Sequence, residues 1–355
     1  MLKIFNALVV AGISLLITSC GGDSSPASTA AAPTSSFTSS AGVGELLTFT
    51  ADTTALTYSY TVTASSYGLE GNMGSGTLTE NSDGSYTPSE FPSSKIQVYQ
   101  NGLMVGAVEF TINGQTVNSP VVGVSSPITS LASLAGTYNF LGESCEGPTA
   151  SSNTGVGICN TVHGTVVIDT DGTYEACTGA DLTTDPSCGG GALTSGTIVS
   201  AGNGLFEFNR TGTAFIAVTN ANYLLASAAP NGQNVLIIDT NDSAGYGYGH
   251  LVGSTQTSTV DTATAPGTWT WNANNGDSGT FDLTCSSSTE CASSSGANIT
   301  IGTPWAGLGT VVNGPFNYYV LVAGSGVYVQ AAAPSQVIPF SGGAYNTYME
   351  IGAHQ

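Results

Sequence analysis

GTVVIDTDGTYE (residues 164–175) decides the fold. A run rich in β-branched residues stops at Asp171-Gly172, and a second such run starts at Thr173. Asp-Gly accepts the positive φ that a tight turn demands, so the stretch reads as strand, turn, strand. GTLTENSDGSYT (76–87) matches it without gaps at the leading Gly-Thr and at Asp-Gly-[Ser/Thr]-Tyr, and GTFDLTC (279–285) opens a degenerate third copy. LAGTYNF (134–140) precedes the second copy and APGTWTW (265–271) the third. Two explanations stand open: common ancestry of three units, or one turn chemistry reused by any β meander.

The same punctuation runs along the chain. Asn101-Gly102, Asn113-Gly114, Asn203-Gly204, Asn231-Gly232, Asn275-Gly276 and Asn313-Gly314 join Asp83-Gly84 and Asp171-Gly172 as type I′ hairpin signals. In LTYSYTV (56–62), Leu56, Tyr58, Tyr60 and Val62 share one face and Thr57, Ser59 and Thr61 the other, the pattern of a half-buried antiparallel strand. AFIAV (214–218), NVLII (234–238) and YYVLV (318–322) are apolar on both faces and predict strands buried on both sides. No amphipathic helix follows the first twenty residues. The expectation is an all-β protein of antiparallel hairpin meanders, forming β-barrel or sandwich units. Three units are placed at 45–125, 132–255 and 265–355, the last two able to make one barrel between them.

Seven cysteines fall into two groups. Six of them cluster in sequence and favour the local disulfides Cys145–Cys159, Cys177–Cys188 and Cys285–Cys291, which belong to an oxidising compartment. No C-x-x-C pair occurs and His163, His250 and His354 are scattered, so no metal site and no cofactor is assigned.

The seventh, Cys20, ends a leader. Met1-Leu2-Lys3 precedes IFNALVVAGISLLI (4–17), an apolar run short of the ~20 residues a membrane span needs, and so a secretory signal. Ile17-Thr18-Ser19-Cys20 resembles the lipobox of bacterial lipoproteins. The resemblance implies that residues 1–19 are a signal peptide and that Cys20 carries acyl chains anchoring the protein to a membrane. Residues 20–44, rich in Gly, Ser, Pro and Ala, then make a flexible tether. Gly21 stands where an Asp would imply inner-membrane retention, so the resemblance implies the outer membrane, its periplasmic and cell-surface faces both open.

LASLAGTYNFLGE (131–143) resembles the opening of a lipocalin-type barrel, where Gly-x-Trp follows a helical turn, and the pattern recurs at APGTWTWN (265–272). Tyr138 replaces the tryptophan at the first site. The chain lacks the basic residue near its C-terminus that covers the ring in that family, Arg210 being its single arginine. The resemblance implies an up-and-down meander barrel.

Charge narrows the partners. Beyond the leader, Lys95 and Arg210 stand against 23 acids. Phosphate binding needs clustered Lys and Arg, so nucleic acid is excluded and anionic headgroups with it. The acyl chains on Cys20 remain the membrane contact.

Catalytic motifs lack their parts. Gly276-Asp277-Ser278-Gly279 resembles the nucleophile segment of chymotrypsin-like serine proteases, but neither His163 (NTVHGTVV) nor His250 (YGYGHLVG) has that family's setting, and a turn explains the segment. Gly22-Asp23-Ser24-Ser25 is similar to the nucleophile block of GDSL hydrolases yet lies in the tether. No catalytic residue is assigned. Glycoside hydrolysis needs only two carboxylates, so it stays open. Asp239–Gly245 and Asp169–Gly172 space oxygens as calcium loops do, but turn chemistry accounts for both. Four aromatics, Trp269, Trp271, Tyr246 and Tyr248, are the candidate ligand-binding residues for a glycan or small apolar ligand; buried, they would be core. Three functions follow in order: a non-enzymatic, lipid-anchored envelope protein binding such a ligand through a barrel or its loops, a structural or adhesive surface lipoprotein without a small-molecule site and with its protein partner open, and a lipoprotein glycosidase.

Overall fold

The computed structural model describes residues 34–65, 67–99, 102–145, 159–189, 191–210, 222–228, 233–242, 247–257, 265–313, 316–322, 326–333 and 348–354, without the side chains of 241, 242, 247 and 313. The leader, Cys20, Tyr246 and AFIAV lie outside these residues.

Eight strands make an N-terminal sheet: β1 (Thr34–Ala41), β2 (Glu45–Asp52), β3 (Thr57–Ala64), β4 (Met73–Glu80), β5 (Tyr86–Pro88), β6 (Gln97–Val98), β7 (Leu103–Ile112) and β8 (Gln115–Val124). Its order is β5-β4-β3-β2-β1-β8-β7-β6. The tether expected over 20–44 therefore ends early. Thr34–Ala41 is an inner strand, and Ser39, Ser40 and Ala41 are buried because β2 and β8 flank it and the first barrel covers it.

One helical turn, α1 (Leu131–Leu134), leads into a closed meander barrel. Its strands are β9 (Gly136–Cys145), β10 (Cys159–Ile168), β11 (Thr173–Thr178), β12 (Ala192–Gly202), β13 (Leu205–Arg210), β14 (Asn222–Ala228), β15 (Asn234–Asp242) and β16 (Gly247–Thr255). A second closed barrel follows: β17 (Gly267–Ala273), β18 (Ser278–Cys285), β19 (Glu290–Ser293), β20 (Asn298–Ile301), β21 (Gly309–Asn313), β22 (Phe316–Val322), β23 (Val327–Ala332) and β24 (Met349–His354). The last two units close separately, since β16 pairs back onto β9 and β24 onto β17.

Turn chemistry explains the recurring motif. In 164–175 the Asp169 amide donates to the Thr173 carbonyl at 2.8 Å and the Gly172 amide to the Asp169 carbonyl at 2.9 Å. Asn81 and Gly84 repeat these bonds at 2.8 and 3.1 Å in 76–87, and Ala273 and Gly276 repeat them at 2.8 and 3.1 Å before β18. Only the glycine has positive φ in these three turns. Type I′ geometry, with both central residues positive, occurs at Asn113-Gly114 and Asn203-Gly204. The Asp-Gly turns differ because the Asp side chain accepts the amide two residues on, at 3.0 Å for Asp83 and 2.9 Å for Asp171, which holds the residue outside the left-handed region.

Strands apolar on both faces lie where two cores meet. Leu236 and Ile238 point into the first barrel, while Val235 and Ile237 join a core shared by all three units. Tyr318, Val320 and Val322 line the second barrel, and Leu321 joins the same shared core with Leu46, Val105 and Val122 of the sheet. This common core makes residues 31–355 one compact unit. Three disulfides staple it. Cys145–Cys159 and Cys285–Cys291 bridge paired positions on adjacent strands, and Cys177–Cys188 closes the loop after β11.

Candidate ligand-binding cavities

Alternate residues of each barrel strand face inward. In the first barrel the inward set leaves a cavity of about 290 Å³. Phe140, Val162, Val166, Tyr174, Phe208 and Leu251 supply its apolar wall, with Arg210 and Asn222 among the polar lining. Gly164 makes room for the Phe140 ring, whose tip stands 2.7 Å from where a β-carbon would be. One end is packed shut by Leu134 of α1, Ile198, Phe206 and Leu224.

The second barrel encloses a cavity of about 350 Å³ with a different character. Trp271, Phe281, Tyr318, Tyr328 and Tyr348 surround one buried carboxylate, Glu350. The Tyr328 hydroxyl lies 2.7 Å from Glu350 Oε1 and 2.6 Å from Gln330 Oε1, and Tyr348 donates to Glu350 Oε2. Burial raises the Glu350 pKa, and the two hydroxyls act against it.

A third polar group lies outside the cavities. Asp239, His250 and Glu143 are cross-strand neighbours on β15, β16 and β9, on the barrel's outer face and fully buried beneath the sheet. Ser40 donates to Asp239 Oδ2 at 2.6 Å, and Asn274 of the second barrel donates to Glu143 Oε2 at 3.0 Å. Among the described residues Glu143 Oε1, Asp239 Oδ1 and both His250 nitrogens lack hydrogen bonds. Desolvation pushes Glu143 up to about 8 and Asp239 up to about 7, and pulls His250 down to about 4. The Ser40 main chain works against the His250 shift without completing a bond.

The four aromatic candidates part company. Trp271 lines the second cavity and is half-buried. Trp269, on the same face two residues deeper, is 1% exposed and belongs to the core, its indole donating to the Ala265 carbonyl at 3.0 Å. Tyr248 points outward against Tyr67 of the sheet, 6.0 Å between ring centres, and so packs units together. Tyr246 lies outside the described residues. Ser278 donates to the Ser93 carbonyl, which gives its hydroxyl a place in the contact between barrel and sheet. Among the described residues no three His, Cys, Asp or Glu side chains are grouped to hold a metal.

Reading the sequence for exposed rings missed Glu350, Glu143 and Asp239 as a buried set. The available signal was a lone acid inside an otherwise apolar strand, as in YMEIGAH (348–354).

The class defined here is an all-β chain of one open sheet and two closed eight-stranded barrels, each barrel holding a cavity. No protein-family model and no curated protein matches the chain. The solved structure of isotype 1 transferrin binding protein B from serogroup B Neisseria meningitidis aligns over 88% of this chain, at 11% identity and a TM-score of 0.22. The alignment spans 66% of that protein's chain, just under two thirds. At that score the likeness carries no argument about function.

Proposed function

We propose that this protein is a non-enzymatic, lipid-anchored component of the bacterial cell envelope that holds a small apolar ligand in its first barrel. The cavity of about 290 Å³ inside the first barrel, walled mainly by aromatic and aliphatic side chains, is the observation that carries the reading. The lipobox-like Ile17–Cys20 supports the anchor, and Gly21, standing where an Asp would imply inner-membrane retention, supports the outer membrane as its place. The three disulfides suit the oxidising side of that envelope. Glycoside hydrolysis fits poorly: it takes two carboxylates, and Glu350 is the single one among the described lining residues of both cavities.

Native mass spectrometry of the detergent-extracted full chain tests the ligand. A non-covalent mass lost on denaturation and extractable into organic solvent is expected; a hexose mass would replace it by a glycan, and a bare chain at every extraction would sink the reading. For the anchor, labelling with an alkyne fatty acid should mark the chain and C20A should abolish the label. Equal labelling of C20A would remove the anchor from the proposal.

A further inference from the structure

We propose that the second barrel is a separate binding site for a small alkylated ammonium ion, caged by aromatic rings over Glu350. The first-barrel reading is not needed for it.

The chamber is graded from mouth to floor. Thr280 and Ser295 are exposed at its rim, Trp271 is half-buried, and Tyr318, Tyr328 and Glu350 are buried at depth. Steeply tilted rings line it. Phe281 and Tyr328 meet at 68° with centres 5.4 Å apart, and Tyr318 and Tyr348 at 68° with centres 5.7 Å apart. Aromatic faces attract a cation within about 6 Å, and alkylated ammonium is the ion such cages recognise because it sheds water cheaply. A carboxylate at the floor supplies the counter-charge. No Lys or Arg is among the described lining residues, and the chain carries a net charge of −20, which favours cations over anions in any cavity it opens. Sugars find less here. The deep polar atoms of Glu350, Tyr328, Tyr348 and Gln330 already bond one another, leaving few donors for hydroxyls.

Proton counting adds a second feature. The Tyr328 hydroxyl lies 2.6 Å from Gln330 Oε1 and 2.7 Å from Glu350 Oε1, yet owns one proton. A Glu350 carboxyl that keeps its own proton satisfies all three oxygens, in line with the rise that burial imposes on it. A bound cation would instead be paired by the carboxylate, with Tyr328 and Tyr348 both donating to it. Binding then releases one proton to solvent, and affinity climbs with pH until Glu350 is ionised in the free protein. The other titratable groups around it are Tyr318 on β22, Tyr328 on β23, Tyr348 and, from the turn before β18, Asp277.

Titration of the full chain with tetramethylammonium and with choline, set against the uncharged isostere 3,3-dimethylbutan-1-ol, tests the site through calorimetry and intrinsic tryptophan fluorescence. Saturable binding of the cations, at least tenfold tighter than the alcohol and tightening as pH rises, is expected. E350Q should cost at least tenfold and W271A severalfold, while A176W in the first barrel leaves cation affinity unchanged. The cation-against-alcohol comparison uses the unaltered protein, so a variant that fails to fold does not blunt the test. Equal affinity for the alcohol, undiminished binding by folded E350Q, or no saturation with either cation would each overturn the proposal. An empty first barrel in the mass spectrum would leave it standing.

Discussion

Tyr138 and Trp269 hold the same post in the two barrels. Each sits two residues after the glycine that opens its barrel, each is 1% exposed, and each donates to the carbonyl four residues back: Tyr138 to Leu134 at 2.7 Å, Trp269 to Ala265 at 3.0 Å. Gly136 and Gly267 both have positive φ, 154° and 141°, so the chain enters both barrels by the same bend. Asn234 then donates to the Tyr138 hydroxyl at 3.0 Å, and His354 lies edge-on to Trp269 with centres 5.1 Å apart. A residue near the C-terminus, the histidine His354, thus meets the second ring at the place the sequence reading left without a basic partner.

Removing the donor tests this post. Y138F leaves the Leu134 carbonyl and the Asn234 amide each short of a partner and is expected to cost about 1–2 kcal/mol, read as a lower urea midpoint at unchanged slope. Hydrogen exchange should rise in β9 and its neighbours and stay put in the second barrel. An even rise across both barrels would show that the two do not yield independently.

Much of this was legible in the sequence, for reasons that name its limits. GTYNF and GTWTW marked both barrel entries because aromatic size and a preceding glycine are local facts. The hairpin turns were visible for the same reason. Closure was not: that β16 returns to β9 depends on strand tilt and count, which no single hairpin reveals. Nor was Tyr248, an aromatic flanked by glycines, distinguishable from a ligand platform, since the Tyr67 ring it meets lies far away in sequence. Buried acids were half legible: a lone acid in an apolar strand marks Glu350, whereas what buries Glu143 is the sheet turn Gly42–Gly44 and Asn274 of the other barrel, both far away in sequence.

Those buried acids set a pH dependence. Glu143 and Asp239 keep their protons in the fold up to about 8 and about 7, yet lose them near the usual carboxylate range once unfolded. Unfolding then releases protons, so stability falls as pH rises through that interval and levels above about 8. His250 acts in the opposite sense, staying neutral in the fold down to about 4 while the unfolded chain takes up its proton near 6.5. Its cost therefore appears as pH drops below 6.5 and leaves the slope from 6.5 to 8 to the acids. E143Q should match the parent near pH 5 and exceed it at pH 8 by about 3–4 kcal/mol, at about 1.4 kcal/mol per tenfold in proton affinity. Parallel denaturation curves for the two proteins from pH 5 to 8 would contradict the assignment.

Filling the first cavity separates binding from folding. Ala176 lines it, and A176W sends an indole into space of about 290 Å³. Folding should change by no more than about 1–2 kcal/mol, because the ring occupies a void instead of overpacking a full core. Any ligand mass should vanish. A fully loaded A176W protein would place the ligand elsewhere.

The disulfides rank by the loops they close. Cys145 and Cys159 are 14 residues apart and Cys285 and Cys291 six. In the chain-entropy model the longer loop contributes about 3 kcal/mol and the shorter about 2. Burial widens the gap: Cys145 and Cys159 are 2% and 1% exposed and pack into the core beneath the N-terminal sheet, whereas Cys285 is only partly buried. The C145A/C159A pair should therefore lower the urea midpoint more than C285A/C291A, and should loosen hydrogen exchange in the sheet as well as the first barrel. Equal losses, or exchange confined to β9 and β10, would show that this bridge serves its own hairpin alone.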